Sequence, residues 1–417
     1  MTKSLALIVL VFFPSLGYAQ KVLELADRTY EEQIRTVMVY PSQGTGHDNL
    51  LSPAAPIDNQ NLVLEFDDLQ EERNSYYLRL VHCNFDWKKS DLSDLDFMSQ
   101  YNEYPINDYT MSSNTSIRYF HYRILIPPVK IPGNYVAVAY REGDENDIIL
   151  TKRVLVFSNQ VSFSPNQTMQ GLGTLKATNQ QLNFIVNYPK TEVVNPYETI
   201  HTVIRQNLRW DNARMDIKPS FIREDRGELD YRFFDQDNHF QAGNEFRFVD
   251  FRSLNFPGQN TGRLDRSKRP FELSVQKDKS REFDVYAQYR DLNGQFLIEN
   301  LDYREASISS DYLFVNFSLT SPSRINGKVY VLGAFNQWLK NDESEMSYKA
   351  GQYQAAVLLK QGRYDYQYWV ENGENSYVLE GSHFETENLY EILVYYRPFR
   401  PNADLLIGYY PIIVNQR

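Results

Sequence analysis

The chain has 417 residues, and its 54 acidic and 43 basic residues give a net charge of −11 at pH 7. This balance argues against a nucleic-acid-binding protein, which needs a basic surface. The length exceeds what one hydrophobic core can organise and indicates roughly two to four domains, while the single cysteine excludes a disulfide framework within the chain.

Residues 1–19 have the features of a secretory signal peptide. Lys3 supplies a positive charge, residues 5–13 are apolar, and the small residues Gly17 and Ala19 precede a cleavage site after Ala19. The apolar run is too short to span a bilayer, and no cysteine follows the cleavage site to carry a lipid. We therefore expect an exported mature chain that is not itself inserted in a membrane.

A first β-sandwich is predicted at residues 20–158. Short segments there are rich in β-branched and aromatic residues, and turn residues separate them. The predicted strands are 34–40, 62–66, 76–83, 117–126, 135–140 and 150–157. One short helix is expected from Ser90, as its cap, to Met98. Cys83 ends an apolar strand, so we expect a buried structural thiol.

A second β-rich region is predicted at residues 159–309, with longer and more polar loops. Its predicted strands are 182–188, 199–206, 231–234, 245–251, 271–275 and 283–290. Between Pro257 and Pro270 the chain carries two glycines and several basic residues. We interpret this segment as an exposed, mobile loop, with a partner contact as the alternative.

A third domain is predicted at residues 310–417. Its predicted strands are 312–319, 328–333, 353–359, 364–370, 376–380 and 390–396. No helix of ordinary length is needed anywhere in the chain. The sequence therefore predicts an all-β protein of tandem immunoglobulin-like β-sandwich domains.

The sequence lacks the short motifs of the common catalytic and metal sites. The six histidines do not form HExxH, and there are no cysteine pairs, no GxSxG, no P-loop and no GxGxxG. Two acidic clusters, residues 144–147 and Asp235, Asp237 and Asn238, are explained by solvated turns, with a calcium site as the alternative. We expect a protein that is not an enzyme and that has no cofactor and no metal.

Three patches are more specific than any short motif. They are His82-Cys83-Asn84-Phe85-Asp86-Trp87, which continues with Ser90-Asp91-Leu92, Tyr119-Phe120-His121-Tyr122-Arg123 and Gly133-Asn134-Tyr135; then Gln206-Asn207-Leu208-Arg209-Trp210-Asp211-Asn212; and Ala242-Gly243-Asn244-Glu245-Phe246-Arg247. In this order and spacing the mature chain resembles, over essentially its whole length, the plug proteins of the type IX secretion system of Bacteroidota.

The resemblance implies a periplasmic, non-enzymatic protein. Proteins of this family cover the periplasmic opening of a very large outer-membrane β-barrel, the translocon, and are thought to close it when no cargo is engaged. The partner implied is that barrel, and the protein would be peripheral to the outer membrane through it.

Five polar residues of the second and third patches are candidates for a partner interface. They are Arg209, Asn212, Asn244, Glu245 and Arg247. A hydrogen-bonded structural network explains them. The alternative is a surface presented to the rim of the barrel or to one of its periplasmic loops.

A second likeness concerns the region from Val329 to Gly373, which is similar to early-set immunoglobulin-like domains. Carbohydrate-binding members of that group stack sugar rings on two tryptophans with help from a lysine. Trp338 falls on the first tryptophan, Gln367 replaces the lysine, and residues 374–376 lack the second tryptophan. A carbohydrate-binding or surface-glycan protein is the alternative function. We expect Trp338 to be mostly buried, and sugar binding to be absent.

Overall fold

The computed structural model of the chain describes residues 21–165, 173–189, 193–234, 238–371 and 377–416. The predicted signal peptide, Asp235 and Asp237 of the second acidic cluster, and residues 374–376 lie outside this part of the chain. The described residues form many β-strands and only single turns of helix, which confirms the all-β fold class.

The first ten strands form one sandwich, the first sandwich. They are β1 (Arg28–Thr29), β2 (Ile34–Pro41), β3 (Ala54–Pro56), β4 (Leu62–Asp68), β5 (Tyr76–Cys83), β6 (Tyr104–Pro105), β7 (Asp108–Met111), β8 (Phe120–Leu125), β9 (Gly133–Arg141) and β10 (Ile148–Phe157). One sheet has the order β1-β10-β9-β5-β6, with β3 parallel to β10, and the other has the order β2-β4-β8-β7. Their facing apolar side chains make one core. All six strands predicted for this region are present.

Seven strands follow between residues 162 and 241. They are β11 (Ser162–Pro165), β12 (Asn179–Gln180), β13 (Phe184–Asn187), β14 (Ile200–Gln206), β15 (Phe221–Arg223), β16 (Glu228–Tyr231) and β17 (Phe240–Gln241). The next ten form a second group. They are β18 (Arg247–Asp250), β19 (Thr261–Asp265), β20 (Phe271–Val275), β21 (Asp278–Lys279), β22 (Phe296–Leu297), β23 (Tyr312–Thr320), β24 (Lys328–Leu332), β25 (Ser347–Lys349), β26 (Gln352–Lys360) and β27 (Arg363–Glu371). The last two are β28 (Asn388–Tyr396) and β29 (Leu405–Val414).

The second sandwich is interrupted by the third. Its sheets are β11-β13-β16-β15 and β14-β28-β29, so it needs strands from both sides of the second group. Strands β18 to β27 form the third sandwich, with sheets β18-β27-β22, which also carries β24, and β19-β20-β23-β26-β25, which also carries β21. The third sandwich is therefore an insertion between β17 and β28.

The domain boundary predicted between residues 309 and 310 does not coincide with the division of the strands into sheets. Strands β18 to β22 precede it but pair within the third sandwich, and β28 and β29 follow it but belong to the second. The physical reason is that backbone hydrogen bonds join distant segments: Gln206 of β14 pairs with Tyr390 of β28, 184 residues later.

Five local expectations also change. Residues 283–290 lie in no sheet, and residues 377–380 form a turn rather than a strand. The segment between Pro257 and Pro270 contains β19, which pairs with β20 as a hairpin instead of forming a mobile loop. The predicted strand at residues 231–234 is not formed, because β16 ends at Tyr231 and residues 232–234 lie in no strand. β29 was not predicted.

The helices are single turns. They are α1 (Asp94–Phe97), α2 (Pro196–Thr199) and α3 (Ala306–Ser309), with 3-10 turns at Asp48–Leu50, Gly173–Ala177 and Ala334–Asn336. The cap of α1 is Ser93 rather than Ser90, because the Ser93 N–H and hydroxyl both donate to the Asp96 carboxylate. Ser90 instead hydrogen-bonds His82 Nδ1 at 2.9 Å. No described helix has the length and apolar character needed to cross a membrane.

The sheet β14-β28-β29 is buried on both faces. Ile204 and Ile392 point into the core of the second sandwich. Val203 and Leu393 pack against Val136 and its neighbours on the outer face of the first sandwich. Burial on both faces explains why these strands are apolar at consecutive positions, and it joins the first two sandwiches through a shared apolar layer.

Candidate functional site: the junction of the three sandwiches

The first sequence patch forms the contact between the first and second sandwiches. The ring of Phe85 stacks on His201 with centroids 4.2 Å apart. The Phe85 N–H donates to Asp404 Oδ2 at 3.0 Å, and the Tyr395 hydroxyl donates to Asn134 Oδ1 at 2.8 Å. Residues that follow β5 thus fasten the second sandwich to the first.

Two tryptophans and two arginines stack at the same junction. The rings of Trp87 and Trp210 meet edge to face with centroids 4.8 Å apart. The guanidinium of Arg153 lies 4.8 Å from the Trp87 centroid and 5.5 Å from that of Trp210. Arg205 lies 4.4 Å from the Trp210 ring and forms a fully buried ion pair with Glu391. Cation–π contacts of this kind strengthen when water is excluded.

Arg209 connects the second sandwich to the third. Its side chain is only 2% exposed, and its guanidinium lies 4.1 Å from the ring centroid of Trp338 and 5.6 Å from that of Trp369. Asp211 accepts two hydrogen bonds from it, at 3.0 and 2.6 Å. Burial acts to lower the pKa of Arg209, but Asp211 and Tyr377 outweigh it and hold the pKa above its ordinary value.

Trp338 is 8% exposed, which confirms its predicted burial. Phe246 packs against it with ring centroids 5.8 Å apart, and Arg209 lies over the ring. Gln367, which the sequence analysis placed at the position of a sugar-contacting lysine, is also buried. Trp338 therefore does not stand on an exposed face of the kind that stacks on a sugar.

Arg247 belongs to a buried ionic network in the third sandwich. Its guanidinium binds Glu380 at 3.0 Å and Asp278 at 2.8 Å, and Arg281 binds the same Glu380 carboxylate. Asn244, just before β18, donates to the backbone oxygen of Glu380 at 2.9 Å. Burial acts to raise the pKa of Glu380, but the two guanidinium groups outweigh it and hold the pKa below its ordinary value.

The structure brings the five predicted interface residues to internal positions. Arg209, Glu245 and Arg247 are buried, and Asn212 and Asn244 are half-buried. Asn212 donates to Gln206 Oε1 at 3.1 Å. Because these side chains bind other groups of the same chain, the structure favours the structural network over a surface offered to a partner.

Buried carboxyl groups gather where the chain passes from the second sandwich to the third. Burial, together with the Glu245 and Glu387 carboxylates, raises the pKa of Asp291 to about 7, although backbone N–H groups that donate to it act in the opposite direction. Burial and the Asp291 charge raise the pKa of Asp365 well above its ordinary value. Burial also raises the pKa of Glu245. Three carboxyl groups with raised pKa values therefore lie at this connection.

The first and third sandwiches meet at a buried ion pair. Lys360 Nζ lies 2.6 Å from Asp67 Oδ2, and both side chains are 1% exposed. The Tyr312 hydroxyl at 2.6 Å and His121 Nδ1 at 2.7 Å bind the same carboxylate. Burial alone would raise the pKa of Asp67, but Lys360 and His121 hold it below its ordinary value, so the carboxylate stays ionised. The sequence analysis missed this pair. Its only sign in the sequence is a charged residue at the end of each of two apolar strands, β4 and β26.

A cavity of about 300 Å³ lies where the three sandwiches meet. Its walls include Val39 and Arg153 of the first sandwich, Arg205 and Trp210 of the second, and Phe296 and Gln337 of the third. The lining has no hydroxyl or thiol beside a base that could serve as a nucleophile. In the described ranges of the chain, no three acidic, histidine or cysteine side chains converge on one point in a way that could hold a metal ion.

Comparison with known proteins bears on the first sandwich most directly. Residues 34–158 match the sequence model of the type 9 secretion system plug protein 1st domain. The match begins at the first residue of β2 and ends one residue after β10. The first sandwich is thus similar to the first domain of those plug proteins, which supports the plug family.

One solved structure extends the likeness along the chain. It is the crystal structure of a hypothetical protein from Parabacteroides merdae, with a TM-score of 0.86 and 28% sequence identity over 94% of this chain and 100% of that chain. No curated protein matches the chain. The early-set likeness of the third sandwich is not addressed by either match and stays a prediction.

Proposed function

We propose that this protein is a plug of the type IX secretion system, which binds the periplasmic opening of the outer-membrane translocon barrel and closes it when no cargo is engaged. The observation that carries the proposal is the match of residues 34–158 to the first domain of the plug family. The predicted signal peptide supports a periplasmic location, with attachment to the outer membrane through the barrel alone.

The way the sandwiches are joined suits this role. A body that closes a wide pore has to keep its shape, and folded β-sandwiches deform little. Here the sandwiches are joined to one another by the buried Asp67–Lys360 pair, by Arg209 over Trp338 and by the shared apolar layer behind β14. The motifs that carry the family resemblance lie largely at these joints, so their role is to hold the plug in one shape.

The proposed action is binding rather than catalysis. A plug has to leave when cargo arrives, so its contact with the barrel should be modest in area and partly polar. A net charge of −11 keeps the released protein dispersed. The carbohydrate-binding alternative finds no support at Trp338, because Arg209 and Phe246 cover that ring.

The direct test is recovery of the barrel with the tagged protein from its own cells. We expect the giant barrel to co-purify when export is idle, and to be absent from complexes that hold cargo. Deleting the protein should raise outer-membrane permeability to large hydrophilic compounds. Finding this protein and cargo together in one barrel whose periplasmic opening is still covered would overturn closure and point to cargo delivery.

A further inference from the structure

The third sandwich carries an exposed surface that combines basic and large apolar side chains. Phe256, Leu301 and Tyr303 are 76%, 62% and 52% exposed. Arg266, Lys268 and Arg269 stand exposed in the turn between β19 and β20. We call these six residues the basic–aromatic patch.

Hydrogen bonds hold the parts of the patch together. The Arg266 guanidinium donates to the backbone oxygen of Leu254 and, at 3.4 Å, to Asn255 Oδ1, in the loop that carries Phe256. The Leu254 N–H in turn donates to Asp302 Oδ2 at 2.7 Å. Asp302 lies between Leu301 and Tyr303 in sequence, so the hairpin turn and both loops form one continuous surface.

The arginines of this surface have unused capacity for carboxylates. Neither Arg266 nor Arg269 has a carboxylate within 4 Å among the described residues, and the same holds for the nearby Arg263 and Arg304. Lys268 is paired, with Glu272 at 2.8 Å. The carboxylates of the same segments, Asp265, Glu272 and Asp302, bind the Ser267 hydroxyl, Lys268 and the Leu254 N–H. They therefore leave the guanidinium groups of Arg266 and Arg269 without a carboxylate partner in the described part of the chain.

The guanidinium groups are also held in position. Arg269 donates to the backbone oxygens of Arg266 and Lys268 at 2.6 and 2.8 Å, and it lies 4.5 Å from the ring centroid of Phe271. A fixed planar guanidinium binds a carboxylate through two parallel hydrogen bonds and loses little side-chain freedom in doing so. Exposed aromatic side chains beside arginine are typical of protein interfaces.

We propose that the basic–aromatic patch is the docking surface for an acidic segment of a partner protein. If the proposed function holds, on which this assignment of the partner rests, the acidic segment belongs to the periplasmic opening of the barrel. A protein partner fits better than an anionic membrane, because a lipid surface would repel the rest of this acidic chain. Fixed guanidinium groups also match a defined set of carboxylates better than a fluid layer of headgroups.

The test compares two charge-reversal variants in the barrel recovery experiment. The patch variant carries Arg266→Glu, Lys268→Glu and Arg269→Glu. The control carries Lys88→Glu, Arg226→Glu and Lys279→Glu, which are also exposed and change the net charge equally. Melting temperatures are compared for all three proteins, and we expect only small changes, because the hydrogen bonds that Arg266 and Arg269 would lose are exposed to water. We expect the patch variant to lose about tenfold in barrel affinity and the control to stay within about twofold.

Each other outcome overturns the assignment in its own way. If the wild type and the patch variant recover the barrel equally, the patch is not the docking surface and the proposed function still stands. If the wild type recovers no barrel, the proposed function fails and the assignment fails with it. If the wild type sediments with phosphatidylglycerol vesicles and the patch variant does not, the surface binds lipid instead of an acidic protein segment.

Discussion

The guanidinium of Arg209 lies 4.1 Å from the ring centroid of Trp338, so a residue of the second sandwich covers a tryptophan of the third. Arg209 was expected either in a structural network or at a partner surface, and its side chain is one of the contacts that attach the inserted sandwich to the rest of the protein.

Removing Arg209 should loosen the attachment of the third sandwich. We expect Arg209→Ala to lower the free energy of unfolding by about 2–3 kcal/mol, because a buried cation–π contact and two charged hydrogen bonds are lost. Urea denaturation measures the change. Arg209→Lys keeps the positive charge but lacks the planar guanidinium group, so it should recover part of the loss. A loss below about 0.5 kcal/mol for the alanine variant would show that the contact adds little to stability.

The Asp67–Lys360 pair gives a prediction by double-mutant cycle. Lys360→Met alone should cost about 3–5 kcal/mol, because it leaves the Asp67 carboxylate buried without its cation. Adding Asp67→Asn should recover much of that loss, since no uncompensated charge remains. Denaturation of the two single variants and the double variant gives the coupling energy. Simple additivity would contradict a direct interaction across this interface.

The contribution of Asp291 to stability should fall as pH rises from about 4 to about 7. The pKa of Asp291 is raised to about 7 in the folded protein, against about 3.9 for an unfolded aspartate. The folded state therefore holds the proton more tightly, and this contribution is fully present below the unfolded pKa and lost as pH rises through the folded one. Across this range the melting temperature of the wild type should fall relative to that of Asp291→Asn. Glu71→Gln, at an exposed position, is the control, and parallel curves for all three proteins would refute the assignment.

Cys83 should be inert in the folded protein. Burial raises the pKa of its thiol to about 12, so thiolate is scarce at pH 8. Ellman's reagent should react with it in urea and only very slowly in native buffer. Reductant should leave the melting temperature unchanged. Rapid labelling of the native protein would show that the first sandwich opens near β5.

Chelators should not change the melting temperature. In the first acidic turn Asp147 already binds Lys21 at 2.6 Å and Arg141 at 2.9 Å, and Asp144 Oδ1 accepts the Asn146 N–H at 2.9 Å. These oxygens are committed to groups of the protein and are not gathered around a calcium ion. Melting with EDTA and with added Ca²⁺ checks this expectation. A shift of several degrees between the two conditions would reveal a calcium site.

The sequence predicts the first sandwich well because its strands follow one another along the chain and because core-facing and outward-facing side chains alternate clearly within them. It mispredicts residues 283–290, since their composition suits a strand although no neighbouring strand pairs with them. It cannot predict the insertion, because the pairing of β14 with β28 depends on segments far apart in sequence. The motif residues were found readily, but whether Arg209 or Glu245 faces solvent is decided by how whole domains pack.

The interruption of the second sandwich sets the order in which the protein matures. As the chain is synthesised from its N-terminus, the first and third sandwiches can close on their own residues. β14 has to wait for β28 and β29, which come last. The layer that locks the first sandwich to the second is finished only then, so a chain without its last residues cannot take the final shape. The end of the chain therefore decides when the three sandwiches become one body.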